Sequence, residues 1–450
     1  MDLGSARESE ERFKGYIDSL ASVIGHEGRH KTRKEQLDDY SRGLLTANGR
    51  KSVEPLAAVT APLRVAAKHQ SLLHFVGQAA WSDADVLTRV RELVQPVMER
   101  HGPIEAWIID DTGFPKKGKH SVGVTRQYCG QLGKQDNCQV AVSLSISNHD
   151  ASLPIGYRLY LPKEWATDKK RKKKTGVPKE IRFKTKPDIA IDLIRQAVTQ
   201  GVSMGTVLGD AAYGSNTALR DSLTSLGLVY ALGIVPNTGV WLPGTAPLPP
   251  KKWQGNGRKP TCLRRDGKTK PCSVRALALK LPESAWKTIT WREGVDKKLT
   301  SRFARARVRP SHGDNTRTEP RAEEWLLIEW PEGDAEPIKY WFSTLPENIT
   351  FDKLVDMVKL RWRIERDYQD LKQEVGLGHY EGRSWRGFHH HATLCIAAYG
   401  FLISEREMIP PSGSVFAERF KKLTVPKDYQ PRGTPHPDRT PCPQLDLKRA

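Results

Sequence analysis

The sequence predicts a mixed α/β protein, a sheet flanked by helices, preceded by a helical N-terminal domain. Three observations lead there. Over the first hundred or so of the 450 residues, apolar side chains recur every three or four positions. Beyond them the pattern changes to short runs rich in Val, Ile and Tyr, which alternate with helical stretches. After a second β-rich region, one long amphipathic stretch, Phe351–Val375, reads as a helix.

The helical domain is assigned to residues 1–100. Its stretches are Glu10–Ile24, Leu56–Ala67, Ser71–Gln78 and Ser82–Arg100, with Ser82 and Asp83 as cap residues. Pro62 is positioned to kink or split the second stretch. The α/β region follows. Its strands are Ile104–Asp110, Val122–Cys129, Cys138–Ser147, Ile155–Leu161, Thr206–Asp210 and Leu228–Ile234, and its helices Pro187–Val202 and Asn216–Leu226. A β-rich insertion occupies residues 235–345, with strands at Thr288–Trp291, Trp325–Trp330 and Trp341–Thr344. Helices at Phe351–Val375 and His391–Ser404 return the chain to the α/β region. A Pro-rich basic tail is assigned to residues 406–450.

Composition narrows the function. There are 72 Lys and Arg against 52 Asp and Glu, a net charge of +20, which points to a polyanionic partner, nucleic acid above all. Six Cys without a CxxC pair argue against a zinc ribbon and suit a reducing cytoplasm. The polar N-terminus has no apolar signal region, and no apolar run approaches the roughly 18 residues of a membrane span. A cytoplasmic protein without a membrane partner is expected.

Three acidic positions carry the chemistry. Asp110 and Asp111 end an apolar strand, Asp210 ends another, and Glu365 lies within the long helix. Carboxylates at buried strand ends are costly unless they are paired or bind a metal. Converging carboxylates suit Mg²⁺, and two such ions about 3.5–4 Å apart can drive in-line displacement at phosphorus. The bland reading is that strand-end Asp residues form turns or cap helices. Arg361, Glu365, Tyr368 and Lys372 share one helix face, beside the apolar stripe.

The segment RWRIERDYQDLK resembles the helix of DDE transposases with a Tyr-Arg-Glu-Lys signature: Arg361, Glu365 and Lys372 match its spacing, while the Tyr position falls on Val358. The segment IDDTGFPKKGKHSVGVTRQYCGQLGKQDNCQVAVSL, Ile109 to Leu144, resembles the insertion-sequence 701 family. The likeness runs from about residue 20 to 405 and leaves out the tail. It implies an RNase H-like catalytic domain of residues 101–234 and 346–405, interrupted by the insertion. It further implies that Asp110, Asp210 and Glu365 bind two Mg²⁺ ions, for which Mn²⁺ could substitute. Spacing leaves Asp111 open as the first ligand. Asp110 is preferred because it lies two residues before Thr112, similar to the Asp-x-Ser/Thr of RNase H-like enzymes.

The implied reaction is transposition: hydrolysis at the element ends, then transfer of the 3′-hydroxyl ends into target DNA. The implied partners are double-stranded DNA, both terminal inverted repeats and target, and a second copy of the chain on that DNA. The protein would sit in the bacterial cytoplasm, on the nucleoid when bound. An RNase H-like nuclease without strand transfer, or a catalytically silent DNA-binding descendant, is the alternative.

Expected DNA contacts are Arg361 and Lys372 on the helix, and Lys116, Lys117, Lys119 and Arg126 after the first strand. The run Lys169–Lys174 adds Lys170, Arg171, Lys172 and Lys173, and Trp253 is a candidate for stacking on an unpaired base, with Trp241 weaker. Gly113 to Lys119 has the GxxxxGK frame of a phosphate-binding loop but lacks the following Ser/Thr and helix, which argues against nucleotide hydrolysis. His389, His390 and His391 cannot all face one ion from a helix, so a helix-start role or a phosphate contact is expected of them.

Overall fold

The computed structural model describes residues 3–25, 30–266, 268, 270–293 and 298–408. The tail assignment lies almost wholly outside the described residues. No helix among them is long and apolar enough to cross a membrane.

Five helices open the chain: α1 (Leu3–Ile24), α2 (His30–Thr46), α3 (Val53–Thr60), α4 (Val65–Gly77) and α5 (Asp83–Met98). The sequence reading passed over α2, whose polar surface hides a thin stripe of buried Leu37, Tyr40 and Leu44. Pro62 does split the second stretch, and the chain on its far side forms one helix, α4, rather than two pieces. Ser82 caps α5, its hydroxyl accepting from the Asp85 amide.

The sheet begins with β1 (Ala106–Pro115), β2 (Thr125–Cys129), β3 (Lys134–Ser147) and β4 (Ser152–Leu159). Two short helices follow, α6 (Lys163–Thr167) and α7 (Lys169–Thr175), then α8 (Lys186–Thr199), β5 (Thr206–Gly209), α9 (Ala211–Gly214), α10 (Thr217–Ser225) and β6 (Tyr230–Ile234). The order β4-β3-β1-β5-β6 has antiparallel pairing on one side of β1 and parallel pairing on the other. This is the expected RNase H-like sheet.

The insertion contributes β7 (Gly239–Trp241), β8 (Cys272–Ser273), α11 (Val274–Ala278), β9 (Trp286–Glu293), β10 (Lys298–Pro310), β11 (Glu324–Trp330) and β12 (Lys339–Ser343). Its strands do not make a separate sheet. β12 pairs antiparallel with β6, and β11 and β10 extend the same sheet outward. β10 escaped the sequence reading because Arg302, Arg305 and Arg307 interrupt its apolar pattern. Their guanidiniums lie over aromatic rings instead: Arg302 is 5.3 Å from the Trp330 ring centre and Arg305 is 4.6 Å from that of Trp325.

The chain ends in α12 (Phe351–Lys359), α13 (Trp362–Gln373) and α14 (Trp385–Met408). The single helix expected over Phe351–Val375 is therefore two. At the junction the Arg363 amide bonds Leu360 O and the Ile364 amide bonds Arg361 O, a tightened three-residue turn.

Both faces of β1 are buried. Trp107 and Ile109 join the core under the N-terminal helices, α8 and α14, whereas Ala106 and Ile108 join the core under α12 and α13. Side chains alternate along a strand, so Asp110 belongs to the second face and Asp111 to the first.

The basic run Lys169–Lys174 makes up nearly all of the short helix α7. Asp168 caps α7 through its carboxylate, and Gly176, at φ +66°, ends it. The three consecutive histidines are buried within α14 and bonded inside the protein, His390 and His391 to the N-terminal helical region and His389 to the Leu159 amide at the end of β4. His391 meets the Tyr40 hydroxyl at 2.8 Å, and His390 stacks on Trp81 with ring centres 3.6 Å apart.

Burial pushes the His390 and His391 pKa values down to about 4. A neutral His390 has one N–H for two neighbouring carbonyls, Val76 O and Trp81 O. Because the unfolded imidazole binds a proton near its ordinary pKa and the folded one does not, this stability is present above about pH 6.5 and is lost as pH falls toward 4. Replacing His390 by Gln should therefore cost less stability as pH is lowered. Denaturant unfolding of both proteins between pH 7 and 4.5 should show the gap narrowing by up to about 1.4 kcal/mol per pH unit below 6.5. A constant gap would contradict burial of a neutral ring.

Candidate active site

Asp110 lies in β1 opposite Ser143 of β3, and its side chain is only 17% exposed. One carboxylate oxygen accepts from the Asp111 amide at 2.7 Å and the other from Arg361 Nη1 at 2.9 Å. Burial pushes its pKa up to about 7, Arg361 opposes that shift, and the nearby Asp210 charge adds to it. Two carboxylates near the parallel pair β1–β5 thus feel each other's charge, and Arg361 offsets only part of the cost of burying Asp110.

Asp210 follows β5 and caps α9, its Oδ1 accepting from the Ala212 amide at 2.9 Å. The bland role of a cap and a place in the acidic cluster coincide in one residue. The α9 turn lies hard against β6, where a Cβ on Gly214 would come within 2.0 Å of Gly233 O. Only glycine fits at that approach.

Glu365 projects from the first turn of α13, 64% exposed, and accepts from Arg361 Nη2 at 2.7 Å. Arg361, at the break between α12 and α13, thereby bridges Asp110 and Glu365. Among the described residues no group of three acidic, His or Cys side chains is arranged to hold a metal ion. The three acids supply the hard oxygen donors that a divalent cation takes, and the one ionic link between Asp110 and Glu365 is a guanidinium.

Asp111 sits apart, on the other face of the sheet. Lys186 Nζ lies 3.1 Å from both of its oxygens, and the Tyr213 hydroxyl donates to it at 3.3 Å. It ties the middle of β1 to α8 and α9.

A cleft of about 530 Å³ opens beside Asp210, Arg361 and Glu365 and runs onto the insertion strands at Trp291 and Trp341. The sequence reading missed this wall. It also missed Lys359, whose Nζ pairs with Glu329 at 2.6 Å and lies 4.4 Å from the Trp291 ring centre. The pairing of β12 with β6 brings the insertion wall to the acids, and α12 brings Lys359; no local motif marks them.

The expected DNA contacts divide into two groups. Lys117, Lys119 and Arg126 are exposed, as are Lys170 and Lys173 on α7. Trp253 is exposed, 48%, on the insertion, where its indole donates to Gly257 O. Others are engaged by the protein itself. Lys372 donates to Gly113 O at 2.8 Å, and burial lowers its pKa to about 8. Lys116 donates to Tyr380 O at 2.7 Å, and Lys172 to Ile181 O at 2.7 Å. Arg171 lies 3.8 Å over the Trp165 ring. Trp241 is buried and donates to Asp314.

Residues 20–298 match the family described as DDE superfamily endonuclease, a span that holds Asp110 and Asp210 and ends before Glu365. A curated relative, the probable transposase for insertion sequence element IS701 of Microchaete diplosiphon, is 32% identical over 202 residues, 44% of this chain and 49% of the relative. The chain thus spans about half the length of that relative. With a family match over more than half of its length and an RNase H-like sheet that brings Asp110 beside Asp210, the chain belongs to the DDE superfamily endonucleases.

Proposed function

We propose that this protein is a DNA transposase of the insertion-sequence 701 type. It would cut the ends of its element by metal-dependent phosphodiester hydrolysis and join the 3′-hydroxyl ends to target DNA. One observation carries the reading: Asp110 midway along β1 and Asp210 just after the adjacent parallel strand β5, with Arg361 linking Asp110 to Glu365 of α13.

In this reading Asp110, Asp210 and Glu365 hold two Mg²⁺ ions, with Mn²⁺ able to substitute. When bound, such ions polarise the phosphodiester and help to activate the attacking oxygen. The chain's own residues do the rest. Asp210 is fixed by its bond to the Ala212 amide, and Asp110 by the ladder of β1 with β3. Arg361, at the rim of the cleft, binds phosphate. Lys117, Lys119, Arg126 and the exposed lysines of α7 hold the DNA backbone without reading its sequence. Two element ends must meet before joining, so the working species is a dimer on DNA, in the bacterial cytoplasm.

The test is incubation of the protein with a duplex carrying the element's terminal repeat and a plasmid target. Mg²⁺ or Mn²⁺ should give ends covalently joined to plasmid, whereas Ca²⁺ should permit binding alone. Cleaved but unjoined ends would make the protein a nuclease. Robust cleavage in EDTA would remove the metal mechanism.

A further inference from the structure

We infer that Arg361 is a resident counter-cation, which holds the acidic site together before metal arrives and must leave Asp110 and Glu365 as metal enters. The inference rests on the metal-binding reading of those acids and concerns how the site is kept without its ions.

The electrostatics require such a group. Asp210 and Glu365 line the cleft with Arg361, Asp110 lies behind them on the guanidinium, and nearby cations are committed elsewhere. Lys186 is paired with Asp111, Lys359 with Glu329, and Lys372 with Gly113 O. Among the described residues, the ion pairs of Asp110 and Glu365 are both with Arg361, at 2.9 and 2.7 Å. One guanidinium against three carboxylates leaves a deficit, which a divalent cation could relieve and a bridging arginine relieves in part.

The backbone allows the exchange. Arg361 stands where the expected long helix breaks, in the tightened turn between α12 and α13. Tightened turns within helices often mark hinges. Among the described residues Glu365 has Arg361 as its ion-pair partner and is largely exposed, so it can turn toward an incoming ion once the guanidinium departs. Arg361 then reaches the same cleft, where a phosphate can take both of its N–H pairs. The residue would thus act first as a placeholder and then as a phosphate clamp, so that metal loading and substrate grip are coupled.

Mn²⁺ binding to the whole chain without DNA, followed by electron paramagnetic resonance or calorimetry, tests this. Under the proposal Arg361→Gln removes a competitor and should tighten Mn²⁺ binding about tenfold, although it abolishes cleavage. Arg361→Lys keeps the charge but cannot bridge two carboxylates, so its affinity should fall in between. Asp110→Asn should weaken binding in every background. A second measurement uses the unaltered protein: side-chain ¹⁵N spectra of arginine should show one slowly rotating guanidinium that becomes mobile on adding Mg²⁺ and is missing in Arg361→Gln. Equal or weaker Mn²⁺ binding by Arg361→Gln, with Asp110→Asn still impaired, would overturn the exchange and leave the metal site standing. An Asp110→Asn variant that binds Mn²⁺ normally would remove the metal site and the exchange together.

Discussion

Asp110→Ala, Asp210→Ala and Glu365→Ala should each lower DNA cleavage by about 10³-fold or more while changing DNA affinity only a few fold. The acids make no base contact in the proposed mechanism, so their loss falls on chemistry rather than on binding. Asp111 is the informative comparison. It faces the opposite side of the sheet, bonded to Lys186 and Tyr213. Asp111→Asn should therefore loosen the β1–α9 contact and lower activity by roughly tenfold at most, since a positioning contact is lost and the reacting groups remain. Cleavage and DNA binding measured side by side on the four variants decide the matter. An active Asp110→Ala beside an inactive Asp111→Asn would reverse the two roles.

Removing the exposed charges of α7 should have the next largest effect, on affinity. Lys169, Lys170, Lys173 and Lys174 point outward, while Arg171 and Lys172 are held by Trp165 and Ile181. Replacing those four lysines by Gln leaves the helix its Asp168 cap and its packing. Each lost phosphate contact lowers the slope of log affinity against log salt by about 0.9, so a change of roughly two to four is expected. At moderate salt that amounts to a loss of about 10²-fold, equal on element-end and random DNA. Titration of both proteins at several salt concentrations measures it. Parallel lines would take α7 off the DNA path, and a loss confined to element ends would mean that it reads sequence.

Much of this protein was legible without coordinates. Net charge pointed to a polyanion, and the N-terminal helices, with the Ser82 cap of α5, and the strand and helix order of the α/β region followed from periodicity, because those signals are local. The acids could be listed for the same reason: a carboxylate at the end of an apolar strand stands out. Other elements were not legible. The β10 strand was masked by arginines whose charge is met by aromatic rings on neighbouring strands. A helix-start role or a phosphate contact was expected of the histidine run, but burial against Tyr40 and Trp81 makes it part of the core.

Choosing between Asp110 and Asp111 illustrates the division. Sequence places both at the end of a strand that is apolar throughout, so neither residue has a polar face to mark its side. Adjacent residues of a strand point to opposite faces, and here both faces are buried. Only the packing of α12 and α13 on one face and α8 on the other assigns Asp110 to Arg361 and Asp111 to Lys186. Composition and periodicity determined by themselves the class of fold and the acidic candidates. Which acids meet, which lysines stay free and where the long helix breaks were decided by tertiary structure, because those outcomes depend on contacts between segments hundreds of residues apart, such as Arg361 with Asp110.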